Sequence, residues 1–239
     1  MRSIERLAAG PTRYRVRVAR SGPARAMTHL AQIESFRRAV LGSGLPFVPD
    51  SRRSRPRPRL AFGPAISVGH ESQAEYFDME TTAPSSPKEI ASGLARCLDE
   101  GFTVQEVRRI PAFFPSLDAT INVVRYSLEG PFPADAAQSL ERFLARVEIV
   151  IEKLKEGGAR VERVDARPLI LEMRLTEPRR LELGLRLGPK RTLKPEAIVR
   201  EWLGLPHPSP GPAPAALEGF TIVRRELLSE TSKGQLLTP

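Results

Sequence analysis

Cysteine and histidine are almost missing from this chain of 239 residues, which contains one cysteine and three histidines. The lone Cys97 excludes an internal disulfide, a zinc site made of cysteines and an iron–sulfur cluster held by the chain's own thiolates. The histidines, at positions 29, 70 and 207, are too scattered in the sequence to indicate a metal site. We therefore expect no metal and no cofactor, and we expect Cys97 to be a small buried apolar residue.

Long apolar segments are missing as well. No apolar run approaches the ~18 residues that a membrane span requires, and residues 1–10 lack the apolar segment of a signal peptide. Hydrophobic residues still make up 41% of the chain, which is enough for a core. Glycine-rich nucleotide loops, the zinc-protease motif and the nucleophile elbow do not occur. These absences predict a soluble, cytoplasmic protein with no membrane partner.

Acidic residues are scarce in the first quarter of the chain. Residues 1–59 contain 14 arginines, no lysine and three acids, a net charge of +11. Residues 60–239 carry 23 basic and 25 acidic residues, a net charge of −2. Lysine is scarce throughout, with six among 37 basic residues. A local basic region made of arginine is typical of phosphate-binding sites, because guanidinium groups bind phosphate bidentately and stack on bases.

The positive charge is densest at residues 51–59, SRRSRPRPR, which contain five arginines and no acid. We interpret this stretch as a loop that binds RNA or another polyanion and that Pro56 and Pro58 stiffen. A coding preference for arginine together with a solvated loop is the alternative interpretation. The predicted nucleic-acid-binding residues are Arg15, Arg17, Thr28, His29, Arg52, Arg53, Arg55, Arg57 and Arg59.

Alternation and end signals predict the elements of the first half. Residues 13–20, RYRVRVAR, alternate as a half-buried strand with Arg13, Arg15 and Arg17 on a basic outer face. Thr28 is the predicted N-cap of a helix over residues 29–41, and Ser86 begins a capping box before a second helix. Further extended segments are predicted at residues 45–48, 60–62, 65–68, 74–81 and 102–110. This order of strands and helices is ferredoxin-like.

The second half is predicted to repeat the same architecture. Strands are predicted at 121–128, at 180–187 and at 220–227, a hairpin joins 147–153 to 160–164, and helices cover 134–145 and 195–203. The fold class is therefore α+β, with two ferredoxin-like (βαββαβ) halves in tandem. The predicted ranges are an N-terminal tail (1–12), a first half (13–112), a second half (113–228) with a proline-rich linker (206–214), and a frayed C-terminal tail (229–239).

Several residues allow more than one interpretation. His29 at a helix start is a weak candidate for an acid or base acting on an RNA backbone, or is simply a polar residue packed there. Phe47 and Phe62 either stack on bases or, as we prefer, pack in the core. A secondary candidate pair is Asp165 with Arg167, which either form an ion pair that holds a turn or leave Arg167 to contact a ligand.

Three ordered stretches carry a family resemblance: RYRVRVARSGPARAMTHLAQIESFRRAVLGSGLPFVP, RPRPRLAFGPAISVGHESQAEYFDMET, and VERVDARPLI with LELGLRLGPKRTLKPEAIV downstream. They resemble the radical-SAM-linked protein family, an uncharacterised bacterial group, over most of residues 13–203. The resemblance implies a radical SAM protein as partner and, through the usual neighbouring genes for ribosome and RNA processing, a relation to RNA. The chain itself cannot be a radical SAM enzyme, because one cysteine cannot hold a 4Fe–4S cluster.

Three functions follow from these observations. The first is an RNA-binding or substrate-presenting accessory protein that works with a radical SAM protein and binds phosphate through its arginine-rich loop. The second is a metal-independent RNA-processing or RNA-modifying enzyme that uses His29. The third is a protein–protein adaptor for an acidic partner. Salt-dependent RNA binding separates the first two from the third, and turnover of RNA separates the second from the first.

Overall fold

The computed structural model describes residues 10–51, 56–154, 161–188, 193–206 and 217–239. The chain divides into two compact units, Met1–Thr120 and Ile121–Pro239. The boundary lies at 120/121, whereas the sequence predicted 112/113. Both units combine α-helices with antiparallel strands.

The first unit contains a four-stranded antiparallel sheet and two main helices. In chain order its elements are β1 (Thr12–Arg20), a 3-10 helix (Gly22–Ala26), α1 (His29–Gly42), β2 (Leu60–Phe62), β3 (Glu71–Thr81), α2 (Pro87–Ala95), β4 (Phe102–Ile110) and α3 (Leu117–Thr120). Along the sheet the strands follow the order β4–β1–β3–β2, and each neighbouring pair is antiparallel.

The core of this unit lies between the two helices and one face of the sheet. Alternate residues of β1, namely Tyr14, Val16 and Val18, are buried there. They form one cluster with apolar residues of the sheet and of both helices: Phe36, Ala39, Val40, Phe77, Met79, Ile90, Leu94 and Phe102. Each fully buried aliphatic or aromatic side chain contributes about 1.5–3 kcal/mol. Because side chains alternate along a strand, Arg13, Arg15 and Arg17 project from the other face.

The capping box predicted at Ser86 is confirmed at the start of α2. Ser86 Oγ accepts from the Glu89 N–H at 3.2 Å, and the Glu89 carboxylate accepts from the Ser86 N–H at 2.7 Å. The helix ends at Ala95, so Cys97 lies beyond it but still packs partly buried against the core. Gly101 has φ +89, and a Cβ there would lie 2.4 Å from the Ser21 carbonyl oxygen. This turn into β4 therefore requires glycine.

Within the second unit, four longer strands pair in antiparallel fashion, and two further strands form a separate hairpin. Its elements are β5 (Val123–Glu129), α4 (Ala136–Leu144), β6 (Val150–Leu154), β7 (Val161–Asp165), β8 (Ile170–Glu177), β9 (Arg180–Arg186), α5 (Pro195–Leu203), β10 (Thr221–Glu230) and β11 (Leu236–Leu237). The sheet follows the order β10–β5–β9–β8, and β6 pairs with β7 in a sheet of two strands. The sequence missed β8, whose charged residues interrupt its alternation.

The two units share one strand order when each is considered by itself. Without the β6–β7 hairpin, the second unit reads strand, helix, strand, strand, helix, strand, as the first unit does. In both sheets the fourth strand lies beside the first, followed by the third and the second. The β6–β7 hairpin is thus an insertion between α4 and β8.

Three local predictions are wrong. Residues 45–48 form no regular strand, since Pro46 and Pro49 lack the N–H that a ladder needs, and only isolated bridges at Phe47 and Pro49 remain. Residues 65–68 form no strand. The C-terminal tail is ordered, because β11 pairs with Ser229 and Glu230 of β10. Most of the predicted proline-rich linker lies outside the described residues.

Candidate nucleic-acid interface

The arginine-rich stretch of the first unit joins two segments that pair with each other. The Asp50 N–H donates to the Arg57 carbonyl at 2.7 Å, and the Arg59 N–H donates to the Val48 carbonyl at 2.9 Å. The Val48 N–H donates in turn to the Glu80 carbonyl of β3 at 2.8 Å. Residues 48–50 and 57–59 therefore form an antiparallel pair of segments beside β3, which we call the arginine hairpin. The predicted site residues Arg52, Arg53 and Arg55 lie between these two segments in the sequence and outside the described residues.

Two predicted site residues, Arg57 and Arg59, stand at the base of the arginine hairpin. The Arg57 guanidinium lies 3.0 Å from the Glu34 carboxylate, and the Arg59 guanidinium lies 3.6 Å from that of Glu80. Their side chains are 41% and 63% exposed. Such exposed ion pairs contribute only about 0.2–1 kcal/mol, so a phosphate group can compete for both guanidinium groups.

The helix α1 supplies a residue that the sequence reasoning missed. The Glu34 carboxylate, which binds Arg57, also accepts from Arg37 at 2.7 Å. The Arg37 guanidinium lies 5.7 Å from the centre of the Phe62 ring, where a cation–π contact holds it. The spacing of Glu34 and Arg37 on a helix was the available signal, since side chains three residues apart are neighbours. Arg37 thus adds a third positive charge next to the arginine hairpin.

The start of α1 agrees with the predicted cap. Thr28 Oγ1 accepts from the Ala31 N–H at 3.2 Å, and His29 is the first helical residue. His29 is half-buried, whereas the next residue, Leu30, is 74% exposed. His29 and Glu34 lie on the same helix, so α1 connects the helix start to the arginine hairpin. The chemical role of His29 stays a prediction.

The predicted basic outer face of β1 is wrong at Arg15. This side chain is buried, and its Nε and Nη2 donate to the Asp78 carboxylate at 2.7 and 2.9 Å. The ring of Phe114 covers its guanidinium at 5.4 Å. Arg17 remains partly exposed, and its Nε donates to the Gln73 carbonyl at 2.8 Å. The burial follows from Asp78, which no local sequence pattern places opposite Arg15.

The predicted nucleic-acid-binding residues His29, Arg15 and Arg17 do not form one pocket, for a topological reason. α1 packs on the face of the sheet that buries Tyr14, Val16 and Val18. Arg15 and Arg17 alternate with those residues and leave the sheet on its other face. The structure therefore places Arg15 and Arg17 on the face of the sheet opposite α1, which His29 begins.

A buried polar network that the sequence did not indicate fixes the start of α1. Arg20 is fully buried and donates through Nη1 to Gln32 at 2.8 Å, and Gln32 donates to the Glu75 carboxylate at 2.9 Å. Arg20 Nη2 also donates to the carbonyls of Arg25 and Met27 at 2.7 and 2.9 Å. These contacts tie the turn before Thr28 to β1 and β3, so the helix start is held rigidly.

The two aromatic candidates lie with the core, as we preferred. Phe47 and Phe62 are partly buried hydrophobic residues packed against the core cluster. The Phe62 ring centre is 6.4 Å from that of Phe36 and 6.3 Å from that of Phe77. This packing accounts for both rings without a ligand.

The secondary candidate, Asp165 with Arg167, forms a turn through a main-chain contact. The Asp165 carboxylate accepts from the N–H groups of Ile149 and Arg167, each at 3.0 Å. Asp165 therefore ends β7 and begins the short 3-10 helix Arg167–Leu169. The predicted turn is present, and the amide of Arg167 rather than its guanidinium makes this contact. Contact of Arg167 with a ligand stays a prediction.

The carboxyl groups with shifted pKa values belong to structural contacts. Hydrogen bonds from the backbone and hydroxyl of Ser86 lower the pKa of Glu89 at the start of α2. In the second unit, hydrogen bonds from Arg186 lower the pKa of Glu230. Both shifts stabilise the ionised carboxylate.

One comparison decides which family contains this chain. The model of a family described as "Uncharacterized protein conserved in bacteria (DUF2344)" matches residues 13–195. The chain belongs to this family. The matched span includes β1, α1 and the whole arginine hairpin, so the candidate interface lies within the shared region.

Three further findings assign no function to this chain. A comparison with curated proteins finds no match. Within the described ranges, no group of three or more His, Cys, Asp or Glu side chains is placed to hold a metal ion. No helix in the described part of the chain is long and apolar enough to cross a membrane.

Proposed function

We propose that this protein binds RNA through the arginine hairpin and acts as an accessory protein that presents RNA to a radical SAM partner. The observation that carries the proposal is the exposure of Arg57 and Arg59 in the arginine hairpin, together with three more arginines in the sequence between its two segments. A hairpin anchored by main-chain hydrogen bonds loses less entropy on binding than a mobile loop does. Phosphate contacts from arginine supply the sequence-independent part of RNA affinity.

The proposal includes a finer description of the fold. We propose that each unit is a ferredoxin-like half, the second with the β6–β7 hairpin inserted. The shared strand order, fourth–first–third–second, supports this description. The fold itself assigns no activity, so the function rests on the site.

The arrangement of charges favours RNA over an acidic protein partner. Arg37 and Arg57 share the Glu34 carboxylate, and Arg59 contacts that of Glu80. With Asp50 and the three arginines of the intervening sequence included, six arginines stand against three acids, a net charge of +3. Five arginines within nine residues form the kind of basic cluster that is typical of nucleic-acid-binding proteins. The radical SAM partner rests on the sequence resemblance alone.

The decisive experiment measures RNA affinity against salt concentration. Replacing Arg53, Arg55, Arg57 and Arg59 with Ser should weaken binding of a single-stranded RNA and flatten its salt dependence. Each lost phosphate contact should reduce the log–log slope by roughly 0.7. A matched control replaces four exposed arginines elsewhere with Ser: Arg96, Arg142, Arg163 and Arg174. The control changes the net charge by the same amount and should retain most of the slope.

Two outcomes would reject the proposal. Equal slopes for the hairpin variant and the wild type, with both folded by circular dichroism, would exclude the arginine hairpin as the contact. An equal loss in the hairpin variant and the control would show that net charge alone attracts the RNA.

A further inference from the structure

Two arginines lie directly opposite each other across β1 and β4 in the first unit. Arg15 of β1 pairs with Arg108 of β4 in the antiparallel register. Side chains in directly opposite positions have Cβ atoms roughly 4.5–5.5 Å apart, and like charges there repel each other. Both project from the face of the sheet that α1 and α2 leave uncovered, since the next pair, Val16 and Val107, packs with the helices.

Both guanidinium groups carry a buried nitrogen that has no partner. Arg15 is 1% exposed, and its Nε and Nη2 bind Asp78, but its Nη1 has no hydrogen-bond partner among the residues that the structure describes. Nη2 of the half-buried Arg108 is also buried and also lacks a hydrogen-bond partner among these residues. A buried donor without an acceptor costs about 1–3 kcal/mol, and more when it is charged. Two such donors on neighbouring strands are therefore suited to an acceptor that bridges them.

The charge of the cluster is unbalanced as well. The Asp78 carboxylate receives hydrogen bonds from both Arg13, at 2.6 Å, and Arg15. The three guanidinium groups of Arg13, Arg15 and Arg108 carry +3, and Asp78 reduces this to +2. Glu80, which lies opposite Arg13 in the register, contacts Arg59. A phosphate monoester carries about −1.5 to −2 near pH 7 and has three strong acceptor oxygens. Guanidinium groups bind such oxygens bidentately.

Solvent reaches this cluster beside Arg13. A cavity of about 320 Å³ is lined by Arg13 and Arg109 together with Pro11, Thr12, Ile110, Pro111 and Ala112. The cavity lies where β1 begins and β4 ends, two residues along from the Arg15–Arg108 pair on each strand. A phosphate group that enters there meets Arg13 first, and it reaches the buried Arg15 only when the Phe114 ring, which covers that guanidinium at 5.4 Å, moves aside.

We propose that Arg13, Arg15 and Arg108 bind a phosphate monoester group, carried by a small molecule or by the end of an RNA strand. This site does not depend on the arginine hairpin. It lies on the β1–β4 side of the sheet, and the hairpin contacts β3 and α1.

The test uses the full chain and inorganic phosphate as the probe. Phosphate is titrated by calorimetry at constant ionic strength in sodium chloride, with wild type, Arg108→Gln and Arg96→Gln. Arg108 is only half-buried, so its replacement should leave the fold intact, which thermal unfolding without phosphate checks. Arg96 is an exposed arginine of the same unit and is the matched control.

Saturable phosphate binding is expected in wild type and in Arg96→Gln. Arg108→Gln should bind at least roughly tenfold more weakly, since one charge-assisted contact is lost. Absence of saturable binding in wild type would overturn the proposal. Equal affinity in the Arg108→Gln and Arg96→Gln variants would also overturn it.

A second pair of titrations identifies the carrier of the phosphate. Uridine monophosphate is compared with uridine, and a 5′-phosphorylated RNA oligonucleotide is compared with its 5′-hydroxyl form. Tighter binding of both phosphorylated members, lost in Arg108→Gln, supports the site. A preference limited to the oligonucleotide assigns the RNA end, and one limited to the mononucleotide assigns a small molecule. No discrimination in either pair would overturn the proposal.

Discussion

At the scale of single residues, the arginines of the first unit serve different purposes according to their position in the fold. Arg15 and Arg20 are buried and bind acids or carbonyl groups inside the unit. Arg57 and Arg59 are exposed at the base of the arginine hairpin. The charge excess of the first quarter is thus only partly a surface property. Asp78 of β3 binds Arg15, and Glu34 of α1 binds Arg57, so each arginine is bound by an acid from another element.

Replacement of the buried Asp78 is predicted to have a large effect on the free energy of unfolding. It neutralises Arg13 and Arg15 in a site where both guanidinium groups are largely shielded from water. Asp78→Ala should lower the free energy of unfolding by about 3–5 kcal/mol, because it leaves buried charges uncompensated. Urea denaturation provides the measurement. The exposed Asp118→Ala is the control and should change the midpoint little. A similar small change in both variants would contradict the structural role of Asp78.

Glu34 is predicted to weaken RNA binding in the wild type. Its carboxylate forms ion pairs with both Arg37 and Arg57, and we propose that these two arginines contact phosphate. Glu34→Gln should raise RNA affinity by roughly 1.5–5-fold, the equivalent of an exposed ion pair of about 0.2–1 kcal/mol. Fluorescence anisotropy with a labelled RNA measures this change. Glu141→Gln, on a helix of the second unit, makes the same charge change and should have a smaller effect. Equal effects would show that only net charge matters.

At the scale of elements, hydrogen bonds from polar side chains position the turns that connect the helices and strands. The Arg20–Gln32–Glu75 network fixes the turn before α1, and Asp165 holds the turn after β7. In the second unit, Arg186 of β9 binds the Glu230 carboxylate at the end of β10 through two contacts of 3.0 Å. The main chain of Glu230 also binds the Asn122 side chain: its N–H donates to Asn122 Oδ1, and its carbonyl accepts from Asn122 Nδ2. These contacts hold the chain ends of the sheet together.

The ion pair of Arg186 with Glu230 is expected to make the free energy of unfolding depend on pH. The hydrogen bonds from Arg186 lower the pKa of Glu230 below its ordinary value of 4.5. A carboxyl group with a lowered pKa stabilises the fold at pH values above its ordinary pKa, and this contribution is lost as the pH falls through the lowered value. Glu230→Gln should therefore be less stable than wild type at pH 7, with the difference shrinking below about pH 4.

Urea denaturation of the Glu230→Gln variant at several pH values tests this prediction. The control is Glu218→Gln, an exposed carboxylate of the same unit. A difference between Glu230→Gln and wild type that stays constant from pH 7 to acidic pH would contradict the role of the ion pair.

At the scale of the whole molecule, the proposed function assigns phosphate binding to the arginine hairpin and leaves His29 as the candidate for catalysis. His29 is the candidate acid or base at the start of α1, and a positioned acid–base group contributes about 10²–10⁴-fold in rate. Both units repeat one strand order, so architecture alone does not distinguish a binding protein from an enzyme. The accessory function therefore makes its own prediction about activity.

The purified wild type is predicted to leave bulk cellular RNA uncleaved and unmodified, and His29→Ala should behave identically. Gel analysis and nucleoside mass spectrometry measure these two properties. The accessory function also predicts copurification with a radical SAM protein when the two are coexpressed. Activity in the wild type that disappears in His29→Ala would favour the enzyme hypothesis instead.

The sequence by itself determined most elements and the location of charge. The alternation of residues 13–20, the cap at Thr28 and the capping box at Ser86 are local signals, and local hydrogen bonds and burial enforce them. The order of elements in the first half follows from the same signals. By contrast, the charged residues of β8 hid its alternation, and the prolines near residue 47 replaced a regular strand with isolated bridges.

Only the tertiary structure decided which arginines remain available to a ligand. The outcome depends on partners far away in the chain, such as Asp78 for Arg15 and Glu34 for Arg57, and strand register and helix packing bring these together. The same register places Arg15 opposite Arg108 and leaves a buried donor of each without an acceptor among the residues that the structure describes. A linear pattern fixes the side of a strand from which a residue projects. It does not fix which residue of another strand lies beside it, because that depends on the register and order of strands distant in sequence.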